Sequence, residues 1–262
     1  MAAHGIDIYV ERRGDGPPLL FLNGSGQTLA AVGPLLDVVA QRFDVVAHDQ
    51  RGLGKTSIPP GPYTMAEYAA DAAAVLDSVG WAQARVMGIS FGGMVAQELA
   101  VTWPERVSRL ALLCTSPGGA GGASYPLHKL AGLPDDERAA ALLGLTDTRY
   151  TPEFLAEHPR DQAIAEMMAQ RRRASTDPDV RRGELAQLEA RAHHDVTDRL
   201  GAIDCPTLVA CGRYDGIAPV SNGEAIAARV PQAELRLYEG GHIFMLQDRS
   251  AMPEVLDFLA GE

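Results

Sequence analysis

Short apolar runs recur along the chain, and stretches with apolar residues at helical spacing lie between most of them. A continuous apolar run of about four to eight residues is typical of a strand that is buried on both faces of a parallel sheet. Residues 6–11 alternate between apolar and polar instead, which predicts an edge strand. The predicted buried strands cover residues 18–22, 43–47, 85–89, 107–114, 206–211 and 234–238.

Helical spacing is clear in residues 63–79, where Met65, Tyr68, Ala72 and Val75 share one face. Strands that alternate with helices of about 12 residues indicate a mostly parallel sheet with helices on both faces. The predicted fold class is therefore α/β. The other predicted helices that alternate with strands cover residues 29–41, 94–100, 222–229 and 250–259.

The pattern changes at the glycine-rich segment 118–122. From there to residue 197 the spacing is helical throughout and the composition is rich in Arg, Asp and Glu, whereas strands resume at residue 206. We therefore expect residues 117–197 to form a helical cap. The cap would be inserted between two strands of a core domain that comprises residues 1–116 and 198–262.

The strand 85–89 and the helix 94–100 are joined by a tight turn around Ser90. Such a turn strains the backbone of Ser90, and only small residues two positions on either side leave room for it. Gly88 and Gly92 supply those small residues. The turn lifts the Ser90 hydroxyl above the sheet at a helix N-terminus, where peptide N–H groups favour developing negative charge. Gly-x-Ser-x-Gly is the sequence of a nucleophile elbow, so Ser90 is the predicted nucleophile.

A serine nucleophile needs a base and an acid, which in an open α/β sheet follow the carboxyl ends of strands. His242 comes directly after the last predicted strand, on a glycine turn. The loop after strand 107–114 carries no carboxylate, whereas the loop after strand 206–211 carries Asp215. We predict His242 as the base and Asp215 as the acid that orients it, in the chain order typical of elbow enzymes. The alternative for Asp215 is a turn-capping residue.

An oxyanion hole is predicted from two backbone N–H groups. One belongs to Phe91, directly after the nucleophile, and the other to Ser25, in the loop after strand 18–22. Small residues in that loop let its backbone approach a substrate closely. Asn23 and Gly24 of the same loop are the predicted substrate-binding residues.

The motifs together resemble those of the α/β-hydrolase superfamily over nearly the whole chain. They are Asn23-Gly24, the glycine-rich segment 49–57, the elbow, the segment 212–215 and Gly241-His242. The segment 92–107 most resembles 3-oxoadipate enol-lactonases and small carboxylesterases. The resemblance implies an α/β-hydrolase fold with a helical cap. The segment 49–57 lacks the spacing of a phosphate-binding loop, and we expect Asp49 and Arg51 to tie it together beneath the site.

Two positions depart from relatives of this fold. The family usually has His where this chain has Asn23, and we expect the Asn23 side chain to form a local hydrogen bond. Epoxide hydrolases and haloalkane dehalogenases carry Asp where this chain has Ser90, so those two activities are not expected.

Composition limits the partners of the chain. Its net charge of −11 argues against nucleic acid or an anionic membrane as the main partner.

Cys114, Cys205 and Cys211 lack the spacing of a disulfide framework or a zinc site, which favours buried thiols in a reducing compartment. No apolar run has the length of a signal peptide or a membrane span. We expect a cytoplasmic protein that needs no cofactor or metal and acts on a small-molecule substrate, and a homodimer is left open.

The leading functional hypothesis is a serine esterase or lactonase that forms an acyl-enzyme on Ser90. Two alternatives on the same three residues are a C–C bond hydrolase and a cofactor-free perhydrolase. A ligand sensor that signals through its cap is a further alternative from a different class. We expect the basic run 171–173 to be a solvated face of the cap, and the adjacent His193 and His194 to bind no metal.

Overall fold

The computed structural model describes residues 1–130, 132–171 and 177–261. Within those residues, Val10–Arg13 pairs antiparallel at one edge of a sheet whose other strands are parallel. The strands are β1 (Ala2–Ala3), β2 (Ile6–Asp7), β3 (Val10–Arg13), β4 (Pro18–Leu22), β5 (Asp44–His48), β6 (Ala84–Ile89), β7 (Val107–Leu113), β8 (Thr207–Gly212) and β9 (Ala233–Tyr238).

The α-helices of the described residues either follow strands of the sheet or lie between β7 and β8. They are α1 (Leu29–Val39), α2 (Met65–Ser78), α3 (Phe91–Thr102), α4 (Asp135–Thr146), α5 (Pro152–Glu157), α6 (Pro159–Arg171), α7 (Pro178–Ala192), α8 (Val220–Ala227), α9 (Phe244–Gln247) and α10 (Ala251–Ala260).

The sheet has the strand order β3-β5-β4-β6-β7-β8-β9 and separates two apolar layers. Successive residues of a strand point to opposite faces, so Leu20 packs with α2, α3 and α8, whereas Phe21 packs with α1, α9 and α10. The sheet is therefore buried on both sides, which explains why its strands are continuous apolar runs. The predicted α/β class, with a mostly parallel sheet covered on both faces, is confirmed.

The expected edge strand 6–11 is wrong in its extent. Ile6–Asp7 pairs with Ala2–Ala3 in a small separate sheet, and only Val10–Arg13 pairs with β5. The chain reverses between β1 and β2 at His4 and Gly5, which both have positive φ, +51° and +77°. That local hairpin pairs the first half of the alternating run, so the run divides between two sheets.

Between β7 and β8 the described residues form helices and loops, with isolated bridges at Gly118. This stretch holds α4 to α7 and short 3₁₀ helices at Gly119–Gly121, Leu127–Leu130 and Thr197–Ala202. The boundaries 117 and 197 of the cap stay predictions. The segment meets the carboxyl edge of the sheet, because its backbone bonds to the loops after β8 and β9.

Candidate active site

Ser90 lies between β6 and α3 in a strained backbone conformation, with φ +53° and ψ −112°. The turn is crowded by backbone on both sides. A Cβ at Gly88 would overlap the carbonyl of Gly92, and a Cβ at Gly92 would overlap the carbonyl of Leu22. The Ser90 N–H donates to the carbonyl of Leu113 at 2.8 Å, which ties the turn to the neighbouring strand β7. The predicted elbow geometry is present, with the serine at the N-terminus of α3.

The three residues predicted as nucleophile, base and acid form one hydrogen-bonded line. Nε2 of His242 lies 2.9 Å from Oγ of Ser90, and Nδ1 of His242 lies 2.7 Å from Oδ2 of Asp215. The side chain of Asp215 is fully buried, whereas that of His242 is 13% exposed. The imidazole can therefore reach both a substrate and the serine, while the carboxylate is shielded from solvent.

Asp215 combines the two roles that its sequence position suggested as alternatives. Its Oδ1 accepts hydrogen bonds from the N–H groups of Ile217 and Ala218, at 2.7 and 2.8 Å, so it caps its own turn. Its other oxygen is left for His242. The turn bonds hold the carboxylate in one orientation, and that orientation directs Oδ2 at the imidazole.

The two predicted oxyanion donors are Phe91, directly after Ser90, and Ser25, next to a glycine that approaches Ser90. Phe91 begins α3 and is buried, and Gly24 follows β4 with its Cβ position 3.7 Å from Cβ of Ser90. Within the described residues, the N–H groups of Phe91 and Ser25 donate to no protein acceptor. Both donors are therefore available to an oxygen bound next to Ser90, as an oxyanion hole requires.

The expected local hydrogen bond of the Asn23 side chain is not formed. Its amide nitrogen and oxygen are buried and have no partner among the described residues. The backbone carbonyl of Asn23 instead accepts a hydrogen bond from Nε2 of Gln50 at 2.8 Å. Asn23 is 1% exposed, so its amide group does not reach solvent either.

The C-terminal end of α4 and the residues directly after it bond to the loops that carry Asp215 and His242. The carbonyl of Leu145 accepts from the N–H of Gly216 at 2.9 Å, and the carbonyl of Thr146 accepts from the N–H of His242 at 2.6 Å. The N–H of Thr148 donates to the carbonyl of Tyr214 at 2.9 Å. These are backbone contacts, so no residue type in the sequence pointed to them.

The profile of the alpha/beta hydrolase fold family matches residues 17–248 of the chain. The chain is an α/β-hydrolase. It is 31% identical over 248 residues to a poly(3-hydroxyalkanoate) depolymerase of Ectopseudomonas oleovorans, covering 94% of this chain and 85% of that protein. It is 27% identical to 3-oxoadipate enol-lactonase 2 of Acinetobacter baylyi, covering 93% and 88%. A solved hydrolase structure from Pseudomonas aeruginosa PA01 has 29% identity and a TM-score of 0.79, covering 98% and 94%.

The glycine-rich loop of the hydrolase is organised by the two charged residues that its sequence singled out. Asp49 accepts from the N–H groups of Leu29 and Lys55, at 2.7 and 2.9 Å. Arg51 makes a bidentate ion pair with Asp71, with hydrogen bonds of 2.7 and 2.9 Å. The loop is therefore bonded to α1 and to α2, and it carries Gln50 to the carbonyl of Asn23.

Two histidines and a cysteine of the α/β-hydrolase are buried outside the line of Ser90, His242 and Asp215. His193 is exposed and His194 is buried, so the two rings face opposite surroundings. Burial lowers the pKa of His48 and of His194 to about 4, and it raises the pKa of the Cys114 thiol well above its ordinary value. The arginines of the basic run have side chains outside the described residues, so its predicted role stays a prediction.

The described part of the hydrolase holds neither a cluster of metal ligands nor a membrane-spanning helix. There, no group of three or more His, Cys, Asp or Glu side chains converges as a metal site requires. No helix of the same residues has the length and apolar character needed to span a bilayer.

Proposed function

We propose that this α/β-hydrolase cleaves carboxylic esters or lactones through an acyl-enzyme on Ser90. The observation that carries the proposal is the hydrogen-bonded line from Asp215 through His242 to Ser90, at 2.7 and 2.9 Å. A serine on a strained turn, in contact with an imidazole that a buried carboxylate orients, is the arrangement that nucleophilic acyl transfer requires.

The proposed reaction has two halves. In the first, Oγ of Ser90 attacks the ester carbonyl while Nε2 of His242 takes its proton, and the carbonyl oxygen becomes an oxyanion at the N–H groups of Phe91 and Ser25. Collapse of this intermediate breaks the ester bond, and His242 returns the proton to the departing alkoxide. In the second half, His242 deprotonates a water that attacks the acyl carbon, which releases the acid and restores Ser90. Asp215 stabilises the imidazolium in both halves.

The names of two relatives support the ester or lactone assignment. One relative is named as a depolymerase of a poly(3-hydroxyalkanoate) and another as an enol-lactonase. Both names describe cleavage of a carbonyl–oxygen single bond, which is the bond that the mechanism above breaks.

The test is Ser90→Ala with short-chain nitrophenyl esters and simple lactones as substrates. We expect turnover to fall by about 10⁴-fold or more while thermal stability changes little, because only the nucleophile is removed. Ser116→Ala is the matched control, since this buried hydroxyl has no hydrogen-bond partner in the described residues. Full activity of Ser90→Ala would contradict the proposed mechanism.

Two further assays of the wild-type protein test the alternative activities. One assay supplies a β-diketone, and the other supplies a carboxylic acid with hydrogen peroxide. Turnover of the diketone above that of esters would favour C–C bond hydrolysis, and peracid formation would favour perhydrolysis. A ligand sensor would turn over none of these substrates but would change its association state with a ligand.

The cellular setting belongs to the same proposal. We propose a small-molecule substrate, no nucleic-acid or membrane partner, and a reducing compartment such as the cytoplasm. The three cysteines are free and buried, which supports the last point. Size-exclusion chromatography distinguishes a monomer from a homodimer.

A further inference from the structure

Two buried glutamines connect the helix α7 to the loop that carries Ser25. Nε2 of Gln187, in α7, donates to Oε1 of Gln50 at 3.2 Å, and 137 residues separate the two along the chain. The side chains are 0% and 1% exposed. Because a buried amide is stabilised only when its partners are in place, this pair fixes both side chains.

The two glutamines hold the Ser25 loop at both of its ends. Nε2 of Gln50 donates to the carbonyl of Asn23, and the N–H of Gly26 donates to Oε1 of Gln187, each at 2.8 Å. Ser25 lies between these two bonds. The orientation of its N–H, one of the two donors of the oxyanion hole, is thereby tied to the position of α7.

The loop has few packing contacts that could replace these bonds. A Cβ placed at Gly26 would meet nothing within 4 Å, and one at Gly24 would meet nothing closer than 3.7 Å. The side chains of Asn23 and Ser25 contribute no hydrogen bond within the described residues. Apart from the close packing of Gly92 against the carbonyl of Asn23 and the turn bond between Gln27 and Gly24, at 3.2 Å, the loop is held by the glutamines.

Helix α7 makes further close contacts one turn before and one turn after Gln187. One turn before Gln187, Gly183 packs so closely on the carbonyl of Gly52 that a Cβ would overlap it. One turn after it, Nη1 of Arg191 donates to the carbonyl of Tyr125 at 2.7 Å. Residues four apart share one face of a helix, so one face of α7 contacts the loops of Gly52 and Gln50 through Gly183 and Gln187, and the segment of Tyr125 through Arg191.

We propose that Gln187 is a positioning residue, through which α7 sets the Ser25 N–H at the distance that the oxyanion needs. The inference rests on the proposed function, because it assumes the acyl-transfer oxyanion at Ser90. It assigns to α7 a part in the chemical step. Contacts to the oxyanion form fully only in the transition state, so a misplaced donor lowers kcat and leaves KM nearly unchanged.

The test replaces Gln187 by Met, which keeps the volume of the side chain and removes both hydrogen bonds. We expect kcat to fall by about 10- to 100-fold, since a donor displaced by 1 Å costs about 100-fold, with KM within about threefold of wild type. Leu185→Ala is the control on the same helix, because Leu185 is 48% exposed and should leave both constants unchanged.

A second readout separates positioning from a general loss of structure. An alkyl trifluoromethyl ketone adds to Oγ of Ser90 and leaves an oxyanion in the hole, with the serine proton on His242. Its affinity should fall in Gln187→Met by the same factor as kcat/KM, and Leu185→Ala should bind it as wild type does. Gln187→Glu keeps an acceptor for the Gly26 N–H but sets a buried carboxylate oxygen against Oε1 of Gln50, so its kcat should also fall.

The outcomes distinguish the inference from the proposed function. A folded Gln187→Met with kcat and inhibitor affinity within twofold of wild type would overturn the inference and leave the Ser90 mechanism intact. If Gln187→Met does not fold, Gln187→Glu and Gln50→Met decide in the same way. Absence of ester and lactone turnover in the wild type would contradict the proposed function, and inhibitor affinity would still measure the effect of Gln187.

Discussion

Nε2 of His242 lies 2.9 Å from Oγ of Ser90, although 152 residues of chain separate them. The contact arises because both residues follow parallel strands of one sheet, and the carboxyl ends of parallel strands meet at one edge. Nδ1 of the same ring is 2.7 Å from Asp215. A carboxylate can only accept a hydrogen bond, so Nδ1 must carry the imidazole proton. Nε2 is then the acceptor that faces the serine.

Asp215→Asn should lower kcat by about 10³- to 10⁴-fold, because an amide nitrogen facing Nδ1 favours the wrong imidazole tautomer. The amide oxygen can keep the turn bonds to Ile217 and Ala218, so the fold should be retained. Steady-state kinetics with a nitrophenyl ester, beside a thermal melt, measures both effects. Activity above about one tenth of wild type would argue against Asp215 as the orienting acid.

Gly92→Ala should destabilise the protein by at least about 3 kcal/mol or prevent folding, because the new Cβ overlaps main-chain atoms of Leu22 that cannot rotate away. Urea unfolding followed by circular dichroism is the measurement. Gly144→Ala in α4 is the matched control, since its Cβ would meet nothing within 4 Å. A helix interior prefers Ala to Gly by about 1 kcal/mol, so this control should be stabilising. Equal effects of the two substitutions would contradict the proposed crowding at the elbow.

Much of the fold and the main geometry of the site could be predicted because their signals are local. The elbow motif joins a strand to a helix within a few residues, and Asp215 and His242 each follow an apolar run that reads as a strand. A parallel sheet then brings such loop residues together whatever their distance in sequence. The family assignment reached from these motifs is confirmed by the profile match over residues 17–248.

The rest could not be predicted because its signals are non-local or belong to the backbone. Gln50 and Gln187 meet across 137 residues, and Gln50 occupies a variable position of its motif, whereas Gln187 lies in none. The carbonyl of Thr146 supports His242 without any contribution from its residue type. The buried Asn23 side chain lacks its expected hydrogen bond, because its possible partners would come from distant parts of the chain that no local pattern reports.

Asp71→Asn should cost about 2–3 kcal/mol of stability, because the buried guanidinium of Arg51 loses its bidentate carboxylate and, among the described residues, keeps only the ion pair with Glu67, at 2.7 Å. The side chains of Arg51 and Asp71 are 5% and 1% exposed. Asp37→Asn is the control, since Asp37 is 70% exposed in its ion pair with Arg13 and should cost less than about 1 kcal/mol. Urea unfolding at pH 7 measures both, and similar losses would show that burial does not govern these pairs.

Stability should fall as the pH is lowered from about 6.5 to 4, and His48 and His194 are the expected cause. Burial holds the pKa of each near 4 in the folded protein, against about 6.5 in the unfolded chain. Between these values the unfolded chain binds a proton that the folded protein does not, so acid favours unfolding. Each histidine should contribute a slope of up to about 1.4 kcal/mol per pH unit to the free energy of unfolding.

His194→Gln isolates one of these two contributions. Glu98 and Asp195 act to raise the pKa of His194 and Arg199 acts to lower it, but burial is the largest influence, so removing the ring should remove its share of the slope. Urea unfolding at several pH values between 6.5 and 4.5 gives the slope directly, whatever the stability of the variant at pH 7. His4→Asn is the control, because this exposed residue has a positive φ that Asn tolerates. A slope in His194→Gln equal to that of wild type would mean that the ring is already protonated when folded.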